Sequence, residues 1–157
     1  LIATVLTPKG LNRKCVGRSA KALLKMVGGD VPDNIRCITF EGEKEHPLIA
    51  TELMMPILGV VRAKDFKDAV EKAVWLEHGN RHSAHIHSKN VDHITEYAKA
   101  IDTAILVKNG PSYAALGFGG EGYCTFTIAS RTGEGLTAAH TFTKSRRCVM
   151  VESLCIR

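Results

Sequence analysis

No apolar run in this chain approaches the roughly 20 residues that a bilayer-spanning helix requires, so no transmembrane helix is expected. The N-terminal Leu-Ile-Ala-Thr-Val-Leu is apolar, but no basic segment precedes it and it is too short for a signal peptide. Leu1 stands where an initiator Met would, which leaves two readings: a processed chain, or part of a longer protein. Cys-x-x-Cys is absent. The five cysteines, Cys15, Cys37, Cys124, Cys148 and Cys155, are odd in number and widely spaced. A disulfide framework is therefore not expected, and a reducing, cytoplasmic setting is. Nucleic-acid motifs are also missing. The net charge is +5, yet most lysines and arginines are interspersed with acids, as in Glu41, Glu43, Lys44, Glu45 and in Asp65, Lys67, Asp68, Glu71, Lys72. The one dense basic run, Lys144, Arg146 and Arg147, has no aromatic interleaving. A solvated surface explains it better than a nucleic-acid interface does.

What remains is the composition of a folded domain. The 157 residues are 45% hydrophobic and 24% charged, enough to bury a core. Ser19 opens a helical pattern over 19–28, with Ala20, Leu23, Leu24 and Val27 on one face and Gly28-Gly29 at its end. The pattern over 65–78 is the clearest: Asp65 can cap it, Phe66, Ala69, Val70, Ala73 and Val74 share a face, Asp68 precedes Lys72 by one turn, and Gly79 can stop it. Asn90 opens a third helix over 90–101, with Val91, Ile94, Ala98 and Ile101 on its apolar face. Between these lie short β-rich runs: Ile35 to Phe40, Ile57 to Arg62, Ser83 to His87 and Thr103 to Val107, with Ser145 to Val151 as a final strand. Strands alternating with helices predict an α/β fold, a mostly parallel sheet with flanking helices. From about residue 109 to 135 glycines cluster and periodicity disappears, which predicts a functional or wrapping loop.

Three groups of residues invite chemistry. His82, His85 and His87 suggest a metal, since His85 and His87 would share a face of a strand, but a third ligand cannot be read from spacing. A hydrogen-bonded histidine cluster near a cleft is the competing reading. Gly117-Phe118-Gly119-Gly120-Glu121-Gly122 superficially resembles a phosphate-binding loop, but a dinucleotide fingerprint opens a helix, whereas Tyr123 to Ile128 is β-like. Close backbone packing accounts for these glycines more simply. Cys148 follows Arg146 and Arg147, a setting that can hold a thiolate, yet on a strand it is as well read as buried and inert. No catalytic residue and no metal ligand is assigned.

Taken together, several segments resemble the aldehyde dehydrogenase superfamily, in particular its CoA-acylating acetaldehyde and propionaldehyde dehydrogenases. They are Glu-His-Pro-Leu-Ile-Ala-Thr-Glu-Leu-Met-Met-Pro-Ile-Leu (45–58), the histidine-rich stretch 75–90, Lys-Asn-Gly-Pro-Ser-Tyr-Ala-Ala-Leu-Gly-Phe-Gly-Gly-Glu-Gly (108–122), and Thr-Gly-Glu-Gly-Leu-Thr-Ala-Ala-His-Thr-Phe-Thr-Lys-Ser-Arg-Arg-Cys-Val (132–149). The resemblance runs from about Val16 onward and implies the C-terminal portion of that family's catalytic domain. Residues 1–143 would belong to the catalytic domain, and 144–157 would form a C-terminal oligomerisation strand and tail.

In that family a cysteine thiolate attacks the aldehyde, hydride passes to NAD, and the CoA thiolate releases the acyl group as acyl-CoA. The family's Asn-Leu-Pro-Cys-Ile-Ala-Glu-type nucleophile stretch does not occur here. The resemblance implies that this stretch and the nucleotide-binding domain lie upstream, so the chain alone is expected to be inactive. Glu52 matches a glutamate that accepts hydrogen bonds from the nicotinamide ribose. Met54 takes the place of an aromatic beside that ribose, a departure that leaves room for CoA in the same cleft. Phe118 matches the phenylalanine lining the aldehyde entrance. The implied cofactor is NAD, with CoA as co-substrate. The implied partners are a short aldehyde and further copies of the chain, with no nucleic acid and no membrane. The implied location is the cytoplasm, inside a bacterial microcompartment or outside it. The sequence does not choose between acetaldehyde and propionaldehyde, because one methylene is worth only about 1–3 kcal/mol of discrimination. The alternative is a stand-alone folding or oligomerisation module without catalysis.

Overall fold

The computed structural model describes residues 1–121, 125, 127–128, 135–149 and 151. Two compact units divide the chain, Leu1–Gly79 and Asn80–Arg157. In the first, a single helical turn α1 (Ile2–Val5) leads into the small antiparallel pair β1 (Leu6–Thr7) and β2 (Gly10–Leu11). Helix α2 (Ala20–Met26) starts where Ser19 Oγ accepts the backbone N–H of Ala22, as the sequence predicts. Strands β3 (Ile38–Glu41) and β4 (Ile57–Val60) pair in parallel, Ile38 beside Ile57 and Glu41 beside Val60. Between them lies the short helix α3 (Pro47–Ala50), which the sequence reading leaves out. Helix α4 (Phe66–Glu77) follows, capped by Asp65, whose carboxylate accepts Asp68 N–H at 2.8 Å.

The core of this unit joins residues far apart in sequence. Val5, Cys15, Leu23, Leu48, Leu53 and Ile57 are buried together, with Ile38, Phe40 and Met55 packed against them. Each such aliphatic side chain contributes about 1.5–3 kcal/mol when fully buried. Their convergence ties α3 and the segment after it to α1, α2 and β4. Helix α4 departs from its predicted face: Val70 is buried, but Val74 is exposed. Its end also differs. His78, not Gly79, is the first left-handed residue (φ 57°), and Gly79 continues the turn (φ 75°).

The second unit is built on a β-α-β crossover. β5 (Ser83–Ile86) pairs in parallel with β6 (Ile105–Lys108), Ser83 beside Ile105, and α5 (Val91–Ile101) connects them. Asn90 Oδ1 accepts the N–H groups of Asp92 and His93 at 2.9 and 3.2 Å. Ile101 is buried as predicted, but Tyr97 is buried beside it and Val91 is exposed. After β6 come a 3₁₀ helix, Ser112–Leu116, the antiparallel pair β7 (Thr127–Ile128) and β8 (Leu136–Thr137), and a second 3₁₀ helix, Ala139–Phe142.

The fold is therefore α/β with parallel pairing across its main strands, though each ladder among the described residues has two strands. Ser145 to Val149, where the final strand is expected, carries no ladder within this chain, and Val149 is 74% exposed. A strand is defined by its partner, and residue pattern alone does not supply one. None of the described helices is long and apolar enough to cross a membrane.

Candidate functional site

The segment between α3 and β4 carries Glu52 and Met54. Burial alternates along it. Leu53 enters the core at 6% exposure, and its neighbours Glu52 and Met54 point outward, both exposed. Several bonds fix the segment. His46 Nδ1 accepts Leu48 N–H at 3.2 Å and starts α3. His78 Nε2 lies 2.9 Å from the Ala50 carbonyl at the other end of α3. The Met54 carbonyl accepts Gly17 N–H at 3.1 Å, and the Pro56 carbonyl accepts Ile38 N–H at 2.9 Å. Met54 is held at φ 53°, a left-handed conformation that costs a non-glycine residue about 1–2 kcal/mol. Such outliers persist where the surroundings over-determine them, and they cluster at ligand sites.

Beside this segment lies an open cleft of about 300 Å³, lined by Leu48, Ile49, Leu53, Met54, Met55 and Leu58 among others. Glu52 does not line it but stands exposed at its edge, between Thr51 and Leu53, which do. An exposed carboxylate beside an apolar cleft suits a ribose: the oxygens accept from vicinal hydroxyls, and the thioether offers an adaptable apolar surface. These residues fit the ribose end of a nicotinamide dinucleotide.

Phe118 belongs to the second unit. It is 60% exposed and follows the 3₁₀ helix Ser112–Leu116 directly after Gly117, whose φ is 89°. Phe118 N–H donates to the Tyr113 carbonyl at 3.2 Å, closing the turn. At Gly120 a Cβ would sit 2.7 Å from the Ala114 carbonyl oxygen, so only glycine lets the backbone return this closely over the helix. Close packing is thus the reason for glycine at Gly120, whereas Gly117 and Gly119 (φ 75°) serve their left-handed backbone, with open space beside Gly119; Gly122 lies outside the described residues. Glu52 and Met54 are brought together on one segment, and Phe118 is built separately in its own unit.

The histidine cluster resolves into individual contacts. β5 ends at Ile86, so His87 lies past the strand. His82 Nδ1 is 2.9 Å from Ser83 Oγ, and His85 Nε2 is 2.9 Å from Ser112 Oγ. Partial desolvation beside Ser112, and then the neighbouring His87, hold the His85 imidazole below the usual histidine range. Among the described residues no group of three His, Cys, Asp or Glu is placed to hold a metal ion. Cys15 is fully buried, Cys37 and Cys148 are exposed, and Cys124 and Cys155 lie outside the described residues. Sequence spacing could not show the bond between His85 and Ser112, because it joins a strand to a helix 27 residues away.

No family model matches the chain. Individual proteins do. The acetaldehyde dehydrogenase (acetylating) EutE of Salmonella typhimurium is 48% identical over 143 residues, covering 91% of this chain and 31% of that protein. A solved propionaldehyde dehydrogenase from the Clostridium phytofermentans fucose utilisation bacterial microcompartment is 81% identical, with a TM-score of 0.90 over 99% of this chain and 36% of its own. Rhodopseudomonas palustris propionaldehyde dehydrogenase, solved with propionyl-CoA bound, is 54% identical with a TM-score of 0.87, covering 93% of this chain and 32% of its own. The chain spans about a third of the length of these relatives. In sequence and in fold, it corresponds to the C-terminal part of a CoA-acylating aldehyde dehydrogenase.

Proposed function

We propose that this chain supplies the cofactor-side and aldehyde-side wall of an enzyme that oxidises a short-chain aldehyde with NAD and CoA to acyl-CoA and NADH. The observation that carries this reading is the 81% identity over 99% of the chain to a propionaldehyde dehydrogenase. The exposed carboxylate of Glu52 beside an apolar cleft supports it chemically. In this reading Glu52 accepts hydrogen bonds from the nicotinamide ribose hydroxyls and fixes the ring's orientation, so that little freedom is lost at hydride transfer. Met54 packs beside the same sugar and yields when CoA takes over the cleft, because a thioether chain has more rotamers than a ring. Phe118 lines the aldehyde's path. The dinucleotide, when bound, supplies the hydride acceptor.

The nucleophilic cysteine comes from the upstream part of the enzyme, and this chain alone is inactive. Residues 1–143 complete the catalytic domain, and 144–157 form a strand that pairs with another copy. Association with a microcompartment is consistent with the origin of the Clostridium relative.

Incubating this chain with propionaldehyde, CoA and NAD should give no NADH. Joined to the upstream part of the Clostridium phytofermentans enzyme, it should give CoA-dependent NADH formation. Turnover by the chain alone, or none from the chimera, overturns the reading. In the chimera, Glu52→Gln should slow hydride transfer more than it lowers stability, and an unchanged rate at saturating NAD removes Glu52 from the site. A second reading, an oligomerisation module, draws on the exposed Val149 and Val151. Light scattering that shows only monomer at all concentrations counts against it.

A further inference from the structure

We propose that His85 is a positioning residue: through its hydrogen bond to Ser112 it sets where the helix that leads to Phe118 sits, and hence how the aldehyde is admitted. The inference rests on the reading of Phe118 as part of the aldehyde's path.

The mechanical connection can be followed atom by atom within the second unit. β5 and β6 are in fixed parallel register, with His85 opposite Val107. Past β6 the chain reverses at Asn109, held at φ 54°. Asn109 Oδ1 accepts Ser88 N–H at 2.8 Å, Asn109 Nδ2 donates to the Ser88 carbonyl at 2.9 Å, and Asn109 N–H donates to the Ile86 carbonyl at 2.8 Å. These bonds fix the base of the turn. Gly110 and Pro111 then lead from this turn into the helix. Ser112 is the first residue of the 3₁₀ helix, and its hydroxyl meets His85 Nε2 at 2.9 Å. The strand thus grips the helix at its start. At the other end, Gly117 N–H and Phe118 N–H close onto the Ala114 and Tyr113 carbonyls at 3.2 Å each, so a rotation of the helix is transmitted to the Phe118 ring.

Tyr113 and Phe118 are both exposed and the helix buries no side chain fully, so apolar packing holds this segment weakly. The bond from His85 to Ser112 is then the side-chain bond that ties the start of the helix to the strand. A neutral imidazole and a hydroxyl can each donate or accept, so the bond forms with either tautomer. The lowered basicity of His85 favours that neutral state. Ser112 and His85 are themselves exposed, which makes both substitutable without opening the core.

The test is steady-state kinetics in the same chimera with the Clostridium phytofermentans upstream part. His85→Ala and Ser112→Ala should each raise the KM for propionaldehyde by about two- to tenfold, the net worth of one hydrogen bond. kcat and the KM values for CoA and NAD should stay unchanged. The double variant should be no worse than either single one, because both remove the same bond. His85→Gln, whose amide can reach Ser112, should restore most of the aldehyde KM. Unchanged aldehyde KM in both single variants overturns the proposal. So do effects that multiply in the double variant, or equal changes in every KM. If His85→Ala fails to fold by circular dichroism, Ser112→Ala and His85→Gln carry the test. A parent chimera without CoA-dependent activity refutes the functional reading instead, and is recognised before any variant is made.

Discussion

Gly59 offers the sharpest test of how the cofactor-side segment is supported. It lies in β4, where a Cβ would fall 2.2 Å from Ile49 Cγ1, 2.8 Å from Ile49 Cδ1 and 3.3 Å from Phe40 Cζ. Carbons pack best about 3.5–4.0 Å apart, so Gly59→Ala forces Ile49 out of place. Overpacking of this kind costs about 1–3 kcal/mol. The backbone at Gly59 is not left-handed, so alanine also restricts the unfolded chain, a gain of about 0.4–1 kcal/mol. The expected net effect is a loss of up to about 2.6 kcal/mol, the difference of these two terms. Ile49→Ala removes both clashing atoms. In that background Gly59→Ala should change sign and stabilise by up to about 1 kcal/mol. Urea unfolding of the parent, both single variants and the double variant measures the cycle. Because Ile49 lies on α3, which leads directly into Glu52, Gly59→Ala should also raise the KM for NAD in the active chimera. A destabilisation that persists unchanged without the Ile49 side chain would refute the reasoning, since the collision would then lie elsewhere.

Other outcomes rest on single contacts. Asn90→Ala removes the acceptor for two N–H groups at the start of α5 and should cost about 1 kcal/mol, with faster amide exchange at Asp92 and His93, while Asn90→Asp should be nearly neutral. The Lys72 ammonium, and then the Lys64 backbone N–H, hold the Asp68 carboxyl below its ordinary value of 3.8. Its contribution to stability is therefore complete above that value and lost as the pH falls through the lower folded-state value. The stability difference between parent and Asp68→Asn should shrink on acidification across that window; a pH-independent difference rules this out. Lys44 Nζ sits 4.4 Å from the centroid of Trp75, the single tryptophan, so Lys44→Met should lose about 0.5–1 kcal/mol and change the tryptophan emission.

The parts of the fold legible in sequence are those whose cause is local. Helices α2, α4 and α5 begin at Ser19, Asp65 and Asn90 as expected, because a capping side chain and its N–H partners lie within a few residues. The single turn α3 was not legible: four residues carry no period, and its cap is an imidazole, His46, outside the usual capping set. The faces of α4 and α5 were read in part, since Val74 and Val91 follow the helical spacing yet stay exposed while Tyr97 is buried. Burial depends on what stands opposite, and sequence spacing does not contain that. The same holds for the strand expected after Ser145, whose partner would be another copy of the chain. At the site, Glu52, Met54 and Phe118 come from family resemblance and not from any pattern of their own. The structure adds the alternation around buried Leu53, the left-handed Met54 and the His85 to Ser112 bond, each of which depends on contacts between distant residues.

Cys15 turns the first unit into its own stopwatch. Its thiol is sealed at 0% exposure, 3.6 Å from the Thr4 carbonyl and 3.8 Å from Met26 Sδ, while Cys37 and Cys148 lie open to solvent. Of the described cysteines, a thiol reagent will therefore consume Cys37 and Cys148 at once and then wait on Cys15. When reclosing outruns labelling, the delay measures how rarely the core around Leu23 and Leu53 comes apart, and when it does not, the delay measures how fast. On the proposed role of Glu52, a dinucleotide bound there in the active chimera would lengthen that delay even though the ligand never touches the sulfur. Occupancy of the cofactor side can thus be timed by chemistry inside the core, without any turnover at all.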